Sequence, residues 1–375
     1  MLGGSKMGDK GTIALLYGGK STEHAVSCRS AANVGYQLDC GGFNVIPIGI
    51  DYQGRWTLKE VDFKTKPPIL DSDYDENNEI TIKMGLGFFH KDKRLPITSC
   101  FPLTHGNNGE DGKIQGVIKL ANLPLIGSGV KASALAMNKE STKRILYKKN
   151  VSTLASYLVY KNKSHEIKRL FYEIRAALGQ NVFVKPVNGG SSVGVTAIKD
   201  LNINSLTEAL QNVWAYSPCA LIEPLLSNFI ELECAVLEVG GSLIASFPGQ
   251  VIDPLEKENA FLTYEQKYLG QNCAYIEAPA NLQIGLLNGI QKLALLISKE
   301  IGISGFSRVD FFYDLDKKRV YFNEINTIPG MSMSSHYPVL AASMGYEWPL
   351  LLETLVATSL REFEEKKEIS YQGFK

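Results

Sequence analysis

The sequence lacks the features that would assign it to a membrane, secreted or disulfide-stabilised class. None of its apolar runs approaches the ~20 residues of a membrane-spanning helix, and residues 1–11 contain no apolar segment of signal-peptide length. Its six cysteines show no C-x-x-C or zinc-type spacing, so we expect reduced thiols. These absences predict a soluble, cytoplasmic protein in which residues 1–11 form a disordered leader.

An excess of charge of either sign is also missing. The 39 basic and 39 acidic residues cancel, which argues against a broad surface for nucleic acid or anionic membrane. Neither G-x-G-x-x-G after the first strand nor G-x-x-x-x-G-K-[ST] occurs, so the usual dinucleotide and P-loop signatures are absent. With 375 residues, the chain exceeds the size of a single core, and two or three domains are expected.

The first 50 residues predict the start of an α/β domain. A mostly apolar strand over 12–17 is followed by a glycine turn at 18–19, a helix over about 21–38 and a second strand over 43–50. A strand, a turn, a helix and a strand in this order form a βαβ unit.

Two glycine-rich loops are candidate ligand-binding segments. The loop at 101–116 carries His105 and follows an apolar strand end, where open α/β sheets bind ligands, although a loop histidine is more often a hydrogen-bonded structural residue. The loop at 187–194 follows a strand, 182–186, that contains Lys185. Its backbone N–H groups could fold over phosphate oxygens. Taken alone, a plain hairpin turn explains it at least as well.

Residues 306–330 predict a β-hairpin with a metal site. Period-2 alternation groups six side chains on one face, which are Arg308, Asp310 and Phe312 from the first strand and Phe322, Glu324 and Asn326 from the second. Hard cations such as Mg²⁺ take oxygen ligands of the kind that Asp310, Glu324 and Asn326 supply. The alternative is an ordinary hairpin whose polar face is solvated.

Six segments together resemble the ATP-grasp ligases and, among them, the D-alanine–D-alanine ligase family, from about Ile13 to about Leu351. The segments that carry the resemblance are YGGKSTEHAVS (17–27), HGNNGEDGKIQG (105–116), GSGVKASALAMNK (127–139), VKPVNGGSSVGV (184–195), YEQKYLG (264–270) and NEINTIPGM (323–331). The resemblance implies a Rossmann-like α/β substrate domain followed by a two-lobed ATP-grasp fold. The implied limits are 12–136 for the first domain, 137–226 for the central lobe and 227–375 for the C-terminal lobe with the metal and oxyanion site.

The resemblance also implies a role for particular residues. The residues that match the ATP-binding set are Lys139, Lys185, Ser192, Glu223, Leu226, Glu231 and Lys267. Those that match the ligands of two Mg²⁺ (or Mn²⁺) ions are Asp310, Glu324 and Asn326. Those that match the catalytic set are Glu23, Ser191, Tyr268, Arg308 and the Gly330 backbone N–H, and those that match substrate contacts are Glu23, His105, Ser335 and His336.

The implied activity is ATP-dependent joining of two D-alanine molecules through a D-alanyl phosphate, for peptidoglycan precursor synthesis, by a homodimer. Two alternatives remain: a related ligase with a D-serine or D-lactate acceptor or another amino-acid pair, and a non-catalytic nucleotide-binding protein. The sequence departs from the family pattern at Ala25, Pro224 and His336, which leaves acceptor specificity open, whereas Tyr268 matches D-alanine acceptance.

Overall fold

The computed structural model describes residues 10–254 and 274–367. Within those two ranges, no helix is long and apolar enough to cross a membrane. The five cysteines that lie there are free thiols, as predicted. Most of the predicted leader, together with Lys267 and Tyr268, lies outside the described residues.

The first part of the chain is an α/β domain, as predicted. Its elements are β1 (Thr12–Gly18), α1 (His24–Cys40), β2 (Asn44–Ile50), β3 (Trp56–Leu58), a 3₁₀ helix (Glu76–Asn78), β4 (Ile80–Lys83), β5 (Gly87–His90), β6 (Lys93–Arg94), β7 (Ser99–Pro102), α2 (Lys113–Leu120) and α3 (Val130–Met137). The main sheet has the order β3-β2-β1-β7, with β1 parallel to both β2 and β7. A small antiparallel sheet, β4-β5-β6, lies beside it.

Strand β1 is apolar on both faces because both faces are buried. Ile13 and Leu15 belong to one hydrophobic cluster, and Ala14 and Leu16 belong to another on the opposite side. A central parallel strand covered on both faces reads as a continuous apolar run rather than as an alternation. The carboxyl ends of β1 and β7 therefore lie side by side at one edge, where the loops that follow them meet.

The central lobe is an antiparallel sheet with two helices on one face. Its elements are α4 (Lys139–Tyr147), β8 (Tyr157–Tyr160), a 3₁₀ helix (Lys161–Glu166), α5 (Ile167–Leu178), β9 (Val182–Pro186), β10 (Thr196–Ile198), α6 (Ile203–Trp214) and β11 (Cys219–Pro224). The strand order is β10-β9-β11-β8. Strands β9 and β10 are antiparallel neighbours, so the glycine- and serine-rich loop joins two paired strands, as predicted.

The C-terminal lobe is built on a further antiparallel sheet. Its elements are β12 (Phe229–Val239), β13 (Ser242–Ala245), β14 (Gly249–Ile252), β15 (Tyr275–Glu277), α7 (Ile284–Ile301), β16 (Phe306–Asp314), β17 (Arg319–Asn326), α8 (His336–Ser343) and α9 (Trp348–Lys367). The sheet order is β15-β14-β12-β16-β17, and β13 pairs with β12.

The predicted hairpin is formed by β16 and β17, but the prediction that the Phe322 side chain lies on the same face as Glu324 was wrong. The register places polar residues opposite each other as expected, Arg308 opposite Asn326 and Asp310 opposite Glu324. A β-bulge then follows, and Phe322 pairs with Phe311. Phe322 therefore lies in the hydrophobic core with Phe311 rather than on the face of Glu324. The extra residue, Asn323, joins Glu324 on the polar side.

The N-terminal domain and the C-terminal lobe share a hydrophobic core. Phe306 packs edge-to-face against Phe101 at a ring separation of 5.8 Å and against Tyr337 at 5.4 Å. Phe101 lies near the carboxyl end of β7, and Phe306 is the first residue of β16. This packing therefore holds the carboxyl edge of the first sheet against the hairpin. The loops after β1 and β7 consequently face the polar side of β16 and β17.

Candidate active site

A cavity of about 240 Å³ lies where the three parts of the chain meet. Its lining includes Glu23 and His105 from the N-terminal domain, Ser191 from the central lobe, and Arg308 and Glu324 from the hairpin. Side chains that are far apart in sequence thus converge on one space of small-molecule size.

Glu23 and Ser191 are in direct contact, although 168 positions separate them. The Ser191 hydroxyl donates a hydrogen bond to Glu23 Oε1, and the Glu23 side chain is almost fully buried at 6% exposure. Gly106 has a φ of +71°, and a Cβ there would overlap Glu23 Oε2, so the loop after β7 can approach only as glycine. The hydrogen bond between Ser191 and Glu23 ties the central-lobe loop to the N-terminal domain over the cavity.

The loop that carries Ser191 has an unusual backbone. Ser191 and Ser192 have φ values of 49° and 58°, in the left-handed region that non-glycine residues seldom occupy. Two such residues in succession cost free energy that surrounding contacts must offset. The hydrogen bond between Ser191 and Glu23 is one of those contacts.

His105 pins the loop after β17 to helix α1. Its Nδ1 lies 2.8 Å from the Ile328 carbonyl oxygen, which can only accept, so Nδ1 carries the proton. Its Nε2 then accepts from the Ser30 hydroxyl at 2.9 Å, and Ser30 Oγ accepts from the Met331 N–H at 3.2 Å. Burial lowers the pKa of His105 to about 4, so the ring is neutral. It lines the cavity with both nitrogens bonded to protein.

Glu110 holds the same loop from the other side. Its carboxyl oxygens accept the Ile328 N–H at 2.8 Å and the Gly106 N–H at 3.0 Å. Burial, together with the nearby charge of Glu23, raises the pKa of Glu110 to about 8. His105 and Glu110 thereby fix the backbone that leads to Gly330.

Arg308 is held by two carboxylates on the floor of the cavity. It donates to Asp310 through Nε at 2.8 Å and Nη2 at 2.7 Å, and its Nε lies 3.1 Å from Glu233 Oε2. Burial raises the pKa of Asp310 to about 7, and the negative charges of Glu233 and Glu324 add to this effect against the opposing charge of Arg308. A guanidinium in this position is a ready donor for developing negative charge.

His336 and Ser335 form the other wall of the cavity. His336 Nδ1 lies 2.9 Å from Glu233 Oε2, and its Nε2 lies 3.5 Å from the Ala274 carbonyl oxygen. Both partners accept hydrogen bonds, and the imidazolium form, with a proton on each ring nitrogen, donates to both. Burial opposes that charge, yet the Glu233 carboxylate outweighs burial and holds the pKa of His336 above its usual value. A Cβ at Gly330 would come within 2.9 Å of Ser335 Oγ, so the backbone passes close to this hydroxyl.

A second cavity of about 70 Å³ opens beside the first, under the serine-rich loop. The predicted nucleotide residues that line it are Lys139, Lys185, Ser192 and Glu231, and the hairpin contributes Glu324. Lys139 Nζ donates to the Gly189 carbonyl at 2.5 Å and lies 3.1 Å from Glu324 Oε2. Lysine ammonium groups beside a loop of backbone N–H groups make a cationic space suited to phosphate.

Glu223 is buried between two lysines at the end of β11. Its carboxylate pairs with Lys143, lies 2.7 Å from Lys185 Nζ, and is 3% exposed. Burial opposes ionisation, but Lys185 and Lys143 outweigh it and lower the pKa of Glu223. Lys185 also donates to Asn323 Oδ1 at 3.2 Å. Leu226, two residues after the strand, is buried.

The predicted metal ligands converge, and the oxygen donors fit a hard cation. Asp310 and Glu324 are cross-strand partners, and Asn326 donates through its Nδ2 to Asp310 Oδ2 at 3.0 Å, which leaves its carbonyl oxygen for other contacts. Within the described ranges, no group of three or more His, Cys, Asp or Glu side chains forms a metal site. The set here has two carboxylates and one amide oxygen, the number of carboxylates usual for Mg²⁺ beside phosphate.

Comparison with known proteins places this chain in a family. The model for the D-ala D-ala ligase N-terminus matches residues 12–128, and the model for the C-terminus matches residues 147–357. The D-alanine–D-alanine ligase of Caldicellulosiruptor bescii is 35% identical over 96% of this chain and 98% of its own length. The chain belongs to the D-alanine–D-alanine ligase family.

Solved structures extend the likeness of this D-alanine–D-alanine ligase family member to the whole fold. The D-alanine–D-alanine ligase of Coxiella burnetii aligns with a TM-score of 0.77 and 30% identity, covering 96% of this chain and 97% of that one. The VanG D-Ala:D-Ser ligase of Enterococcus faecalis aligns with a TM-score of 0.78 and 29% identity, covering 93% and 99%. The predicted architecture, a Rossmann-like domain followed by an ATP-grasp fold, is confirmed.

Several residues of this family member's site, among them Lys143, Glu233 and Asn323, were not predicted from its sequence. Lys143 lies one helical turn after Lys139, a spacing that puts both ammonium groups on one face of α4. Glu233 lies two residues after Glu231, so alternation along β12 could have indicated it. Asn323 reaches the site only through the bulge, for which the sequence offers no signal.

Proposed function

We propose that the protein is an ATP-dependent ligase that joins two D-alanine molecules to D-alanyl-D-alanine. The observation that carries this proposal is the joining of two cavities at the hairpin. One cavity is lined by lysines and the serine-rich loop, and the other by Glu23, Arg308 and His336. Phosphoryl transfer and acyl transfer need neighbouring sites of these two kinds.

The first step activates the donor. A D-alanine whose ammonium group binds the Glu23 carboxylate presents its own carboxylate to the γ-phosphoryl of ATP, and a D-alanyl phosphate and ADP result. Lys139 and Lys185 neutralise phosphate charge and hold the nucleotide in line, which phosphoryl transfer needs more than covalent help. Two Mg²⁺ (or Mn²⁺) ions held by Asp310, Glu324 and Asn326 would supply further neutralisation of phosphate charge.

The second step forms the peptide bond. The amine of the second D-alanine attacks the acyl carbon, and a tetrahedral oxyanion develops. As the carbonyl re-forms, the bond from the acyl carbon to the phosphate oxygen breaks, and phosphate leaves with the proton that the attacking nitrogen gives up. Arg308 and the Gly330 N–H are the donors for that oxyanion. The contact between Ser191 and Glu23 keeps the loop over the cavity, which limits hydrolysis of the acyl phosphate by water.

A D-serine or D-lactate acceptor is the second candidate. A D-Ala:D-Ser ligase aligns with this chain at a TM-score of 0.78, and His336, in contact with Glu233, lies on the acceptor wall. The two candidates differ only in the second substrate, so the range of acceptors that the enzyme uses decides between them. In either case the product would serve peptidoglycan precursor synthesis in the cytoplasm, and the enzyme would act as a homodimer.

The test is phosphate release from ATP with a panel of D-alanine, D-serine, D-lactate and L-alanine, with products identified by mass spectrometry. D-alanine alone should support turnover and give D-alanyl-D-alanine. A mixed product that exceeds the dipeptide when D-serine or D-lactate is added would favour the second candidate. No coupled phosphate release with any D-amino acid would overturn both.

A further inference from the structure

Glu233 is a buried carboxylate in the cavity to which neither the family resemblance nor the proposed mechanism assigns a role. It lies on β12 opposite Asp310, and its side chain is 8% exposed. A carboxylate removed from water is costly unless cations or hydrogen-bond donors compensate it. Its partners therefore indicate what it is retained for.

A single oxygen of Glu233 contacts two functional side chains at once. Oε2 lies 3.1 Å from Arg308 Nε and 2.9 Å from His336 Nδ1. Arg308 is the oxyanion donor of the proposed mechanism, and His336 lies beside Ser335 on the acceptor wall. Glu233 is thus a bridge between the proposed oxyanion donor and a side chain of the proposed acceptor wall.

Arg308 needs such a partner because its other carboxylate has a competing role. Asp310 accepts two hydrogen bonds from Arg308, yet it also belongs to the candidate metal ligands. Glu233 lies on the neighbouring strand, β12, outside that ligand set. It can hold the guanidinium plane in place when the Asp310 oxygens contact a cation instead of Arg308. An oxyanion donor must be fixed before charge develops, since reorganisation during the reaction weakens its effect.

We infer that Glu233 is a positioning residue that couples the acceptor pocket to the oxyanion donor by holding His336 and Arg308 through one carboxylate oxygen. The inference rests on the proposed function for the roles of Arg308 and the acceptor wall. It implies that a change at His336 alters the rate of the chemical step as well as acceptor affinity. A side chain that merely filled the space of Glu233 would not produce that link.

The kinetic test compares Glu233→Ala, Glu233→Gln and the wild type. Loss of the bridge should lower kcat for ligation by roughly ten- to a hundred-fold in Glu233→Ala, approaching the loss of an oxyanion donor, with the KM for ATP changed by less than about two-fold. Glu233→Gln keeps one oxygen acceptor and should recover part of the loss. In an Arg308→Lys background, Glu233→Ala should have little further effect on kcat, because residues that act as a unit are not additive.

Glu238 provides a matched control on the same strand. It is also a buried carboxylate, paired with Arg361 and accepting the Gly305 N–H at 3.0 Å, away from the cavity. Glu238→Ala should lower the melting temperature without lowering kcat. Equal kcat losses in Glu233→Ala and Glu238→Ala, or full additivity of Glu233→Ala with Arg308→Lys, would overturn the inference.

A second readout needs no turnover and so separates this inference from the proposed function. In NMR spectra of Glu233→Gln, the His336 ring signals and the Arg308 Nε–H signal should both move relative to the wild type, and in Glu238→Ala neither should. Movement of only one of the two signals would contradict the bridge. If the wild type ligated no D-amino acid, the proposed function would fail while this result still decided whether Glu233 joins the two side chains.

Discussion

Replacing Glu23 with glutamine should weaken binding of the first D-alanine by about ten- to a hundred-fold. The Glu23 side chain is 6% exposed, so water screens its charge little. A hydrogen bond between a carboxylate and an ammonium group contributes about 1.5–3 kcal/mol, and each 1.4 kcal/mol is a factor of about ten in affinity. Glutamine keeps the shape and an oxygen acceptor for the Ser191 hydroxyl, so the loss reflects the charge.

Steady-state phosphate release over a range of D-alanine concentrations separates the first-site KM from kcat. The first-site KM should rise in Glu23→Gln, while Ser191→Ala, which removes a side chain that contacts Glu23 rather than the ammonium group, should cost less. Glu347→Gln, at an exposed glutamate, is the matched control and should behave as the wild type. A first-site KM in Glu23→Gln equal to that of the control would mean that another group holds the ammonium.

Four further substitutions test other parts of the site. Glu324→Gln should lower turnover by at least ~10²-fold at saturating Mg²⁺, and near-normal turnover would remove it from the metal set. Lys185→Ala should mainly lower kcat, whereas Leu226→Ala should mainly raise the KM for ATP, and the reverse pattern would contradict the nucleotide pose. The pKa of His105 is about 4 against an ordinary 6.5, so unfolding takes up a proton between these values. The free energy of unfolding should therefore fall as pH drops from about 6.5 to 4, by up to about 3 kcal/mol. Urea titrations at several pH values measure that free energy for the wild type and for His105→Asn. The same dependence of unfolding free energy on pH in both proteins would refute this prediction.

Most of the strands could be predicted because buried apolar runs are local signals. The strands at 182–186 and 319–326 stand out between turn residues, and alternation gave the correct facing for Arg308 and Asp310. The bulge was not predictable, because the extra residue in β17 is set by packing of Phe322 into the core rather than by the sequence around it. Helix α8 was not predicted, because its sequence contains a proline and does not separate polar from apolar residues at helical spacing.

The candidate site depends on contacts that no spacing rule can supply. Glu23 meets Ser191 across 168 positions, and Glu110 meets the Ile328 N–H across 218. The family resemblance placed Glu23 and Ser191 in one catalytic set but gave no role to Glu110. Which polar side chains pair in the folded chain is decided by how the two sheets dock, and that docking is a property of the shared core around Phe306.

The proposed reaction through a D-alanyl phosphate is tested most directly by following oxygen. The measurement uses D-alanine labelled with ¹⁸O in both carboxyl oxygens, with unlabelled ATP and Mg²⁺, and mass spectrometry of the phosphate and the dipeptide. The carboxylate that attacks the γ-phosphoryl leaves one of its oxygens on phosphorus, so each phosphate released should carry one ¹⁸O and the dipeptide should retain three. Phosphate without ¹⁸O, or label in AMP, would contradict an acyl phosphate intermediate.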